Sequence, residues 1–103
     1  MSILLIGGDR LGNITDKLIE SGFENVAHIS GRKNGDKKIK IPGKTDLVLV
    51  LVDYVGHKLV EIAKEESKKS DVKIAFSRRS WVHIEKIIQK CIMEISNDRN
   101  GLI

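Results

Sequence analysis

Residues 47–52, Leu47-Val48-Leu49-Val50-Leu51-Val52, form an unbroken run of branched apolar side chains that ends at Asp53. A second short run, Ser2-Ile3-Leu4-Leu5-Ile6, ends at the glycine pair Gly7-Gly8. Strands that are apolar at every position, rather than at every second one, are typical of a parallel sheet with helices on both faces. The two runs therefore predict an α/β fold whose central strands are buried on both sides.

Apolar residues at helical spacing predict three helices around these runs. The first follows Asp9 as its cap and ends at Gly22, and the second follows Asp53. The third carries an apolar stripe over residues 81–95, with Ser80 as its cap. This last helix offers more apolar surface than one face of a small sheet requires, which predicts a homodimer. The alternative is that both flanks of the helix cover the sheet.

Two further apolar segments, Val26-Ala27-His28-Ile29 and Val72-Lys73-Ile74-Ala75-Phe76, predict the remaining strands. Strands and helices then alternate, and right-handed crossovers place four strands in the order 2-1-3-4. This is a small open parallel sheet with flanking helices, a Rossmann-like half fold. The second crossover, residues 30–45, has no helical pattern, and the alternation of Ile39, Lys40 and Ile41 predicts a short extra strand within it.

The composition bounds the class of protein. The chain has 103 residues, 41% of them hydrophobic and 31% charged, which excludes a disordered tail and predicts one α/β domain over residues 1–96 with a polar tail over 97–103. No apolar run approaches the roughly 20 residues of a membrane helix, and the first residues lack the basic flank of a signal peptide. We therefore expect a cytoplasmic protein without a membrane partner. The lone Cys91 cannot form an internal disulfide, which agrees with a reducing compartment.

Positive charge gathers where the strands are predicted to end. The chain has 18 basic and 14 acidic residues, a formal net charge of +4, which favours anionic partners. Open parallel sheets bind ligands beyond the carboxyl ends of their strands. The predicted ligand-binding residues are Gly7, Gly8, Asp9, Arg10, Gly31, Arg32, Lys33, Asp53, His57, Ser77, Arg78 and Arg79.

These residues predict a site for a nucleotide or another phosphate-containing molecule, in a sensor or accessory module. The arginines would hold the anion, and the glycines would let the backbone approach it. Asp53 and His57, four residues apart on one helix, would orient the remainder of the ligand. The alternative is a solvated basic rim without a ligand.

Motifs of nucleotide-binding enzymes occur here only in part. The sequence Gly7-Gly8-Asp9-Arg10-Leu11-Gly12 has Asp9 where the dinucleotide fingerprint requires glycine, which disfavours a standard nicotinamide site. The triplet Gly43-Lys44-Thr45 imitates the end of a P-loop but precedes a strand instead of following one. Catalytic residues and metal ligands are not predicted, because the three histidines and Cys91 lack ligand spacing and Ser77 has no evident base.

Two other classes of function stay open at this point. The basic pairs Lys37-Lys38, Lys68-Lys69 and Arg78-Arg79 could follow a nucleic-acid backbone, although aromatic residues for base stacking are scarce. A cofactor-binding redox protein or enzyme is the second alternative, for which Asp53 and His57 would supply the acid–base groups.

Five blocks of sequence occur together and in order. They are Ile6-Gly7-Gly8-Asp9-Arg10, His28-Ile29-Ser30-Gly31-Arg32-Lys33, Thr45-Asp46-Leu47-Val48-Leu49-Val50, Asp53-Tyr54-Val55-Gly56-His57 and Phe76-Ser77-Arg78-Arg79-Ser80-Trp81. In these blocks the chain resembles the bacterial domain of unknown function 2325 family, over residues 3–85. The resemblance implies a small bacterial α/β protein and brings no established activity with it.

Members of that family often have cysteine where this chain has Ser77. The resemblance therefore implies that a role based on that thiol is absent here, whereas anion binding by the arginines is unaffected. A bound tetrapyrrole stays open as a cofactor, with His28 or His57 as the axial ligand.

Overall fold

Four parallel strands and three helices make up residues 1–8, 10–30 and 39–100, which the computed structural model describes. The strands are β1 (Ser2–Ile6), β2 (Asn25–Ile29), β3 (Leu47–Leu51) and β4 (Lys73–Ser77), and the helices are α1 (Ile14–Glu20), α2 (His57–Lys69) and α3 (Trp81–Asn100). The strand order is β2-β1-β3-β4 and every ladder is parallel. The predicted fold class and strand order are thus confirmed.

The two central strands supply the core of both layers. Every residue of β3 is buried, and so are the last four of β1. Alternate side chains point to opposite faces, so that Leu5 and Leu49 join one core cluster while Leu4 and Val48 join the other. Each fully buried leucine or isoleucine stabilises the fold by roughly 1.5–3 kcal/mol, which explains why continuous apolar runs decide this architecture.

Helices α1 and α3 cover one face of the sheet. Ile84, Ile88 and Cys91 of α3 are buried in the core cluster, and the flanking isoleucines of the stripe are half-buried against it. In the described part of α3 the exposed large apolar side chains are Val82 and Met93, at 62% and 66%. This packing agrees with the alternative interpretation, in which the helix covers its own sheet, and the homodimer stays a prediction.

The other face is covered unevenly. Helix α2 packs on β3 and β4, whereas Ile39 and Ile41 of the second crossover pack on the neighbouring part of the same core cluster. The predicted extra strand is wrong for the described residues 39–46, which form no ladder. Ile39 and Ile41 alternate with Lys40 because both isoleucines pack on the face of the sheet. A segment that lies on this face is not beside an edge strand and cannot pair with one.

The helix ends follow local sequence only in part. Asp9 lies outside the described residues, and α1 begins at Ile14 with Asn13 as its N-cap, so the prediction that Asp9 caps this helix is wrong. The predicted stop at Gly22 is confirmed: Gly22 has φ +115°, its N–H donates to the carbonyl of Ile19, and the Phe23 N–H donates to that of Leu18. These bonds form a Schellman motif.

Helix α3 begins directly after Ser80, as predicted, and it runs to Asn100, past residue 96. None of the helices in the described ranges combines the length and the apolar character that a membrane crossing requires.

We call the side of the sheet where the strands begin the amino edge and the side where they end the carboxyl edge. At the amino edge the Asp46 carboxylate accepts the Ser2 N–H at 2.8 Å, and the Asp46 N–H donates to the Ser2 carbonyl at 2.8 Å. Lys73 forms an ion pair with Glu94 of α3. A cavity of about 300 Å³ opens beside Ser2 and Ala27, beneath the turn at Pro42.

Candidate functional site

Three segments meet at the carboxyl edge. The Asp53 carboxylate, after β3, accepts the backbone N–H of Arg79, after β4, at 3.1 Å. The Arg79 side chain in turn reaches the turn after β1, where its Cδ would lie 3.6 Å from a Cβ placed on Gly8. The structure therefore brings together Gly8, Asp53 and Arg79 from the predicted ligand-binding set.

Gly7 is required by the packing of the chain itself. Its φ is +96°, and its N–H donates to the carbonyl of Ile29 at 2.8 Å. A Cβ at this position would lie 2.7 Å from the Leu51 carbonyl oxygen and 2.2 Å from a methyl carbon of Val55. The packing of Leu51 and Val55 therefore suffices to explain why residue 7 is glycine, and its role in letting a ligand approach stays a prediction.

Gly8 is buried and has φ +72°. A Cβ there would touch Leu51, Leu11 and Arg79 at 3.3–3.6 Å, which is ordinary or slightly tight contact. Among the described residues, nothing accepts a hydrogen bond from the Gly8 N–H. Buried backbone donors without an acceptor are rare in folded proteins, so this N–H marks the turn as a place where a ligand could complete the bonding.

His28, near the end of β2, holds the same turn from the other side. Its Nε2 lies 2.9 Å from the Gly7 carbonyl oxygen and 2.8 Å from that of Gly8. Both oxygens can only accept, so Nε2 carries a hydrogen. An Nε2 that donates to these carbonyls has no lone pair for a metal, so this arrangement does not use His28 Nε2 as the axial ligand of a tetrapyrrole. The sequence analysis missed this role, and the only signal for it is the strand register, in which His28 pairs with Leu5 just before the glycines.

Arg79 differs from the other arginines of the site. Its Nε is buried and has no hydrogen-bond partner among the described residues, whereas Arg10 and Arg78 are exposed. A buried donor without a partner destabilises a fold by about 1–3 kcal/mol. The guanidinium of Arg79 is thus held in place by packing while part of its bonding is left unmade.

Three other predicted residues have local roles. Ser77 is buried and its hydroxyl donates to the Arg78 carbonyl at 2.9 Å, so its hydrogen is already used within the loop. Asp53 and His57 do not share a helix, because α2 begins at His57 and Val52–Tyr54 forms a separate 3₁₀ turn. The His57 side chain is 91% exposed, and its Nε2 lies 3.4 Å from Oε1 of Glu61. The prediction that Asp53 and His57 lie on one helix is therefore wrong, and their role in orienting a ligand stays a prediction.

The remaining predicted site residues lie outside the described residues: Asp9, Gly31, Arg32 and Lys33. In the part of the chain that the structure describes, His, Cys, Asp and Glu side chains do not gather into a group that could hold a metal ion. Cys91 is buried in α3, where burial raises the pKa of its thiol and keeps it protonated.

The first turn of α3 points its free N–H groups at the same edge. The Ser80 carbonyl accepts the N–H groups of His83 and Ile84 at 3.0 and 2.9 Å, which places the start of the helix immediately after Arg79. The amino end of a helix of this length carries a partial positive charge. The positive end of the helix dipole and the positive charge of Arg79 therefore lie next to each other at this edge.

Fold and edge together define a small α/β protein with an open parallel sheet and an electropositive carboxyl edge. The family described as "Uncharacterized protein conserved in bacteria (DUF2325)" matches residues 2–91 of the chain. The protein belongs to this family, as the five sequence blocks predict. The comparisons with curated proteins and with solved structures found no match.

Proposed function

We propose that the protein binds a small anion, a nucleotide or another phosphate-containing molecule, at the carboxyl edge of its sheet and acts as a sensor or accessory module. The observation that carries this proposal is the buried Nε of Arg79, which has no hydrogen-bond partner among the described residues. Phosphate oxygens are strong acceptors, and the planar guanidinium matches them in geometry and charge.

The surroundings of Arg79 support an anion rather than a neutral ligand. The amino end of α3 follows directly. Exposed positive charge is added by Arg78, next to Arg79 in the sequence, and by Arg10, two residues after Gly8. The Asp53 carboxylate opposes them, but it accepts the Arg79 N–H and so fixes the loop that carries the guanidinium. Fixing that loop before binding lowers the entropy lost when a ligand is held.

The proposal places the protein in the cytoplasm and includes its action as a homodimer. Sedimentation of the full chain with and without ligand measures the subunit number in the same samples that are used for binding.

Inorganic pyrophosphate is the first probe, with AMP and ADP as nucleotide probes. We expect saturable shifts of the Gly8 and Arg79 amide signals and of the Arg79 Nε–H signal in ¹H–¹⁵N spectra of the full chain. Arg79→Gln should weaken binding by about tenfold or more, since a charge-assisted hydrogen bond contributes about 1.5–3 kcal/mol.

The matched control is Lys68→Gln. Lys68 is exposed near the end of α2, at the amino edge, and its substitution removes the same charge. It should leave the affinity within about twofold, because solvent screens exposed charges beyond roughly 10 Å. Equal weakening by both variants would support a solvated basic rim instead. If none of the three probes shifts these signals, the proposal fails.

A further inference from the structure

His28 is exposed on an edge strand, yet its ring nitrogen makes two hydrogen bonds to one turn. We propose that His28 is a positioning residue of the anion site: its Nε2–H holds the carbonyls of Gly7 and Gly8 toward β2, so that the Gly8 N–H faces the ligand beside Arg79. This inference rests on the proposed function and adds a recognition element to it.

The direction of the Gly8 N–H follows from peptide geometry. In a trans peptide the C=O and N–H bonds point in opposite directions. The Gly7 carbonyl belongs to the same peptide as the Gly8 N–H, and it points at Nε2 of His28 at 2.9 Å. The N–H is therefore turned away from β2.

The conformation of the turn requires both glycines. Positive φ values at two consecutive residues, +96° and +72°, are rare for other amino acids. One anchor of the turn is the bond from the Gly7 N–H to the Ile29 carbonyl. That bond does not fix the plane of the next peptide, whereas the His28 ring contacts the carbonyls of both glycines.

Two donors on the other side of the turn lack acceptors among the described residues. They are the N–H of buried Gly8 and the Nε–H of Arg79, whose side-chain stem lies against Gly8. A backbone N–H in a positive-φ turn is a donor of the kind that binds oxyanions, and an arginine beside it adds a second donor and a positive charge. An oxyanion such as a phosphate could accept from both donors, while His28 itself would not touch the ligand.

The test compares two substitutions of His28. The side-chain amide of Gln places an N–H donor at nearly the same distance from the backbone as Nε2 of His. Leu has a bulk similar to that of Gln but carries no donor. In pyrophosphate titrations His28→Leu should weaken binding by about five- to tenfold, which corresponds to loss of one oriented hydrogen bond. His28→Gln should recover most of the affinity. Asn25→Leu, which removes an exposed hydrogen-bond donor from the other end of β2, is the matched control and should bind as the unsubstituted chain does.

A second measurement does not depend on a ligand. Long-range ¹H–¹⁵N spectra of the full chain should show the hydrogen of His28 on Nε2, and the Gly8 amide signal should move in His28→Leu but return toward its original position in His28→Gln. If His28→Leu does not fold, the tautomer and the affinity of His28→Gln decide the question. A hydrogen on Nδ1 alone would overturn the inference.

The outcomes separate the two proposals. If Arg79→Gln weakens binding while His28→Leu binds like the unsubstituted chain, the anion site stands and the role of His28 is refuted. Equal weakening by His28→Leu and His28→Gln also refutes it, because donation would not be the cause. If the unsubstituted chain does not bind pyrophosphate, AMP or ADP, the proposed function and this inference both fail.

Discussion

The amino and carboxyl edges of the sheet treat their polar groups in different ways. At the amino edge Asp46 and Ser2 exchange two hydrogen bonds, and Asn25 donates to the Ser2 hydroxyl at 3.2 Å. At the carboxyl edge the Gly8 N–H and the Arg79 Nε–H have no acceptor among the described residues. The buried Ser67 hydroxyl, in the last turn of α2 near the amino edge, also has no partner among the described residues. A hydroxyl is neutral and can donate or accept, whereas the carboxyl edge presents two groups that can only donate, one of them on a charged guanidinium.

The cavity lies at the amino edge, beneath the turn at Pro42. Its volume of about 300 Å³ is at the lower end of ligand pockets. We place the candidate site at the carboxyl edge, because donors without acceptors indicate the chemistry of a ligand that could bind there, whereas a cavity alone does not. The comparison favours hydrogen bonding over shape as the ground on which to propose a site in a domain this small.

The largest expected effect is at Gly7, where the carboxyl edge is packed most tightly. Gly7→Ala should lower the free energy of unfolding by about 3 kcal/mol or more, since a positive φ and an overlap with the Leu51 carbonyl add up. Gly12→Ala is the control: Gly12 has φ +57° in open space and should lose only about 1 kcal/mol. Urea unfolding measures both, and equal losses would show that the close approach at Gly7 is not important.

The next effect tests the amino edge. Asp46→Ala should destabilise the fold by about 2 kcal/mol, because it leaves the partly buried Ser2 N–H without its acceptor. Asp16→Ala, in the first turn of α1, should lose less than about 1 kcal/mol. Urea unfolding again gives the difference. A loss at Asp46 no larger than that at Asp16 would mean that this edge is not closed by its hydrogen bonds.

A smaller effect is expected at Asp53, and it tests where the anion lies at the carboxyl edge. Asp53→Asn keeps an oxygen that can accept the Arg79 N–H but removes a negative charge beside the proposed anion. The unfolding free energy should change by less than about 0.5 kcal/mol, and pyrophosphate should bind about two- to threefold more tightly at low salt. Titrations at two salt concentrations test this, and weaker binding of pyrophosphate would contradict the proposed position of the anion.

The smallest effect is a pH dependence at the Lys73–Glu94 pair. The hydrogen bond from Lys73 holds the pKa of Glu94 below its ordinary value, against a smaller opposing effect of burial. A carboxyl whose pKa is lower in the folded than in the unfolded chain stabilises the fold above its unfolded pKa, about 4.3, and loses this contribution as the pH falls through the folded pKa.

Urea unfolding from pH 7 to pH 3 should therefore show a difference between the unsubstituted chain and Glu94→Gln that is constant near neutrality and disappears in acid. Glu65→Gln, exposed on α2, is the control for a general charge effect. A difference that grows toward low pH would contradict the expected sign.

The sheet was predictable because its signal is a single physical quantity, continuous burial. β1 and β3 stand out in the sequence, and the crossover rule orders the rest. The start of α2 was not predictable, because Val55 fits the helical spacing although its backbone is extended at φ −123° and ψ 131°. Its side chain packs over Gly7, so it is apolar for a reason that periodicity does not distinguish from a helix.

The candidate site was predictable only as a region. Arg78 and Arg79 are adjacent and identical in type, and only packing makes one exposed and the other partly enclosed. The contacts of His28 depend on the backbone conformation of two glycines in another segment. Charge patterns locate an edge, whereas the individual donors at that edge depend on contacts between distant parts of the chain.

The all-parallel ladders also set how this chain reaches its fold. Ile3 pairs with Leu47, and Leu47 with Lys73, so none of the four described strands pairs with a neighbour across a tight turn. Each ladder forms only after a long loop has closed, and the entropy of closure must be overcome before burial repays it. Refolding should accordingly be slower than in helical domains of this size, with the closing of the β1–β3 loop as the step that limits its rate.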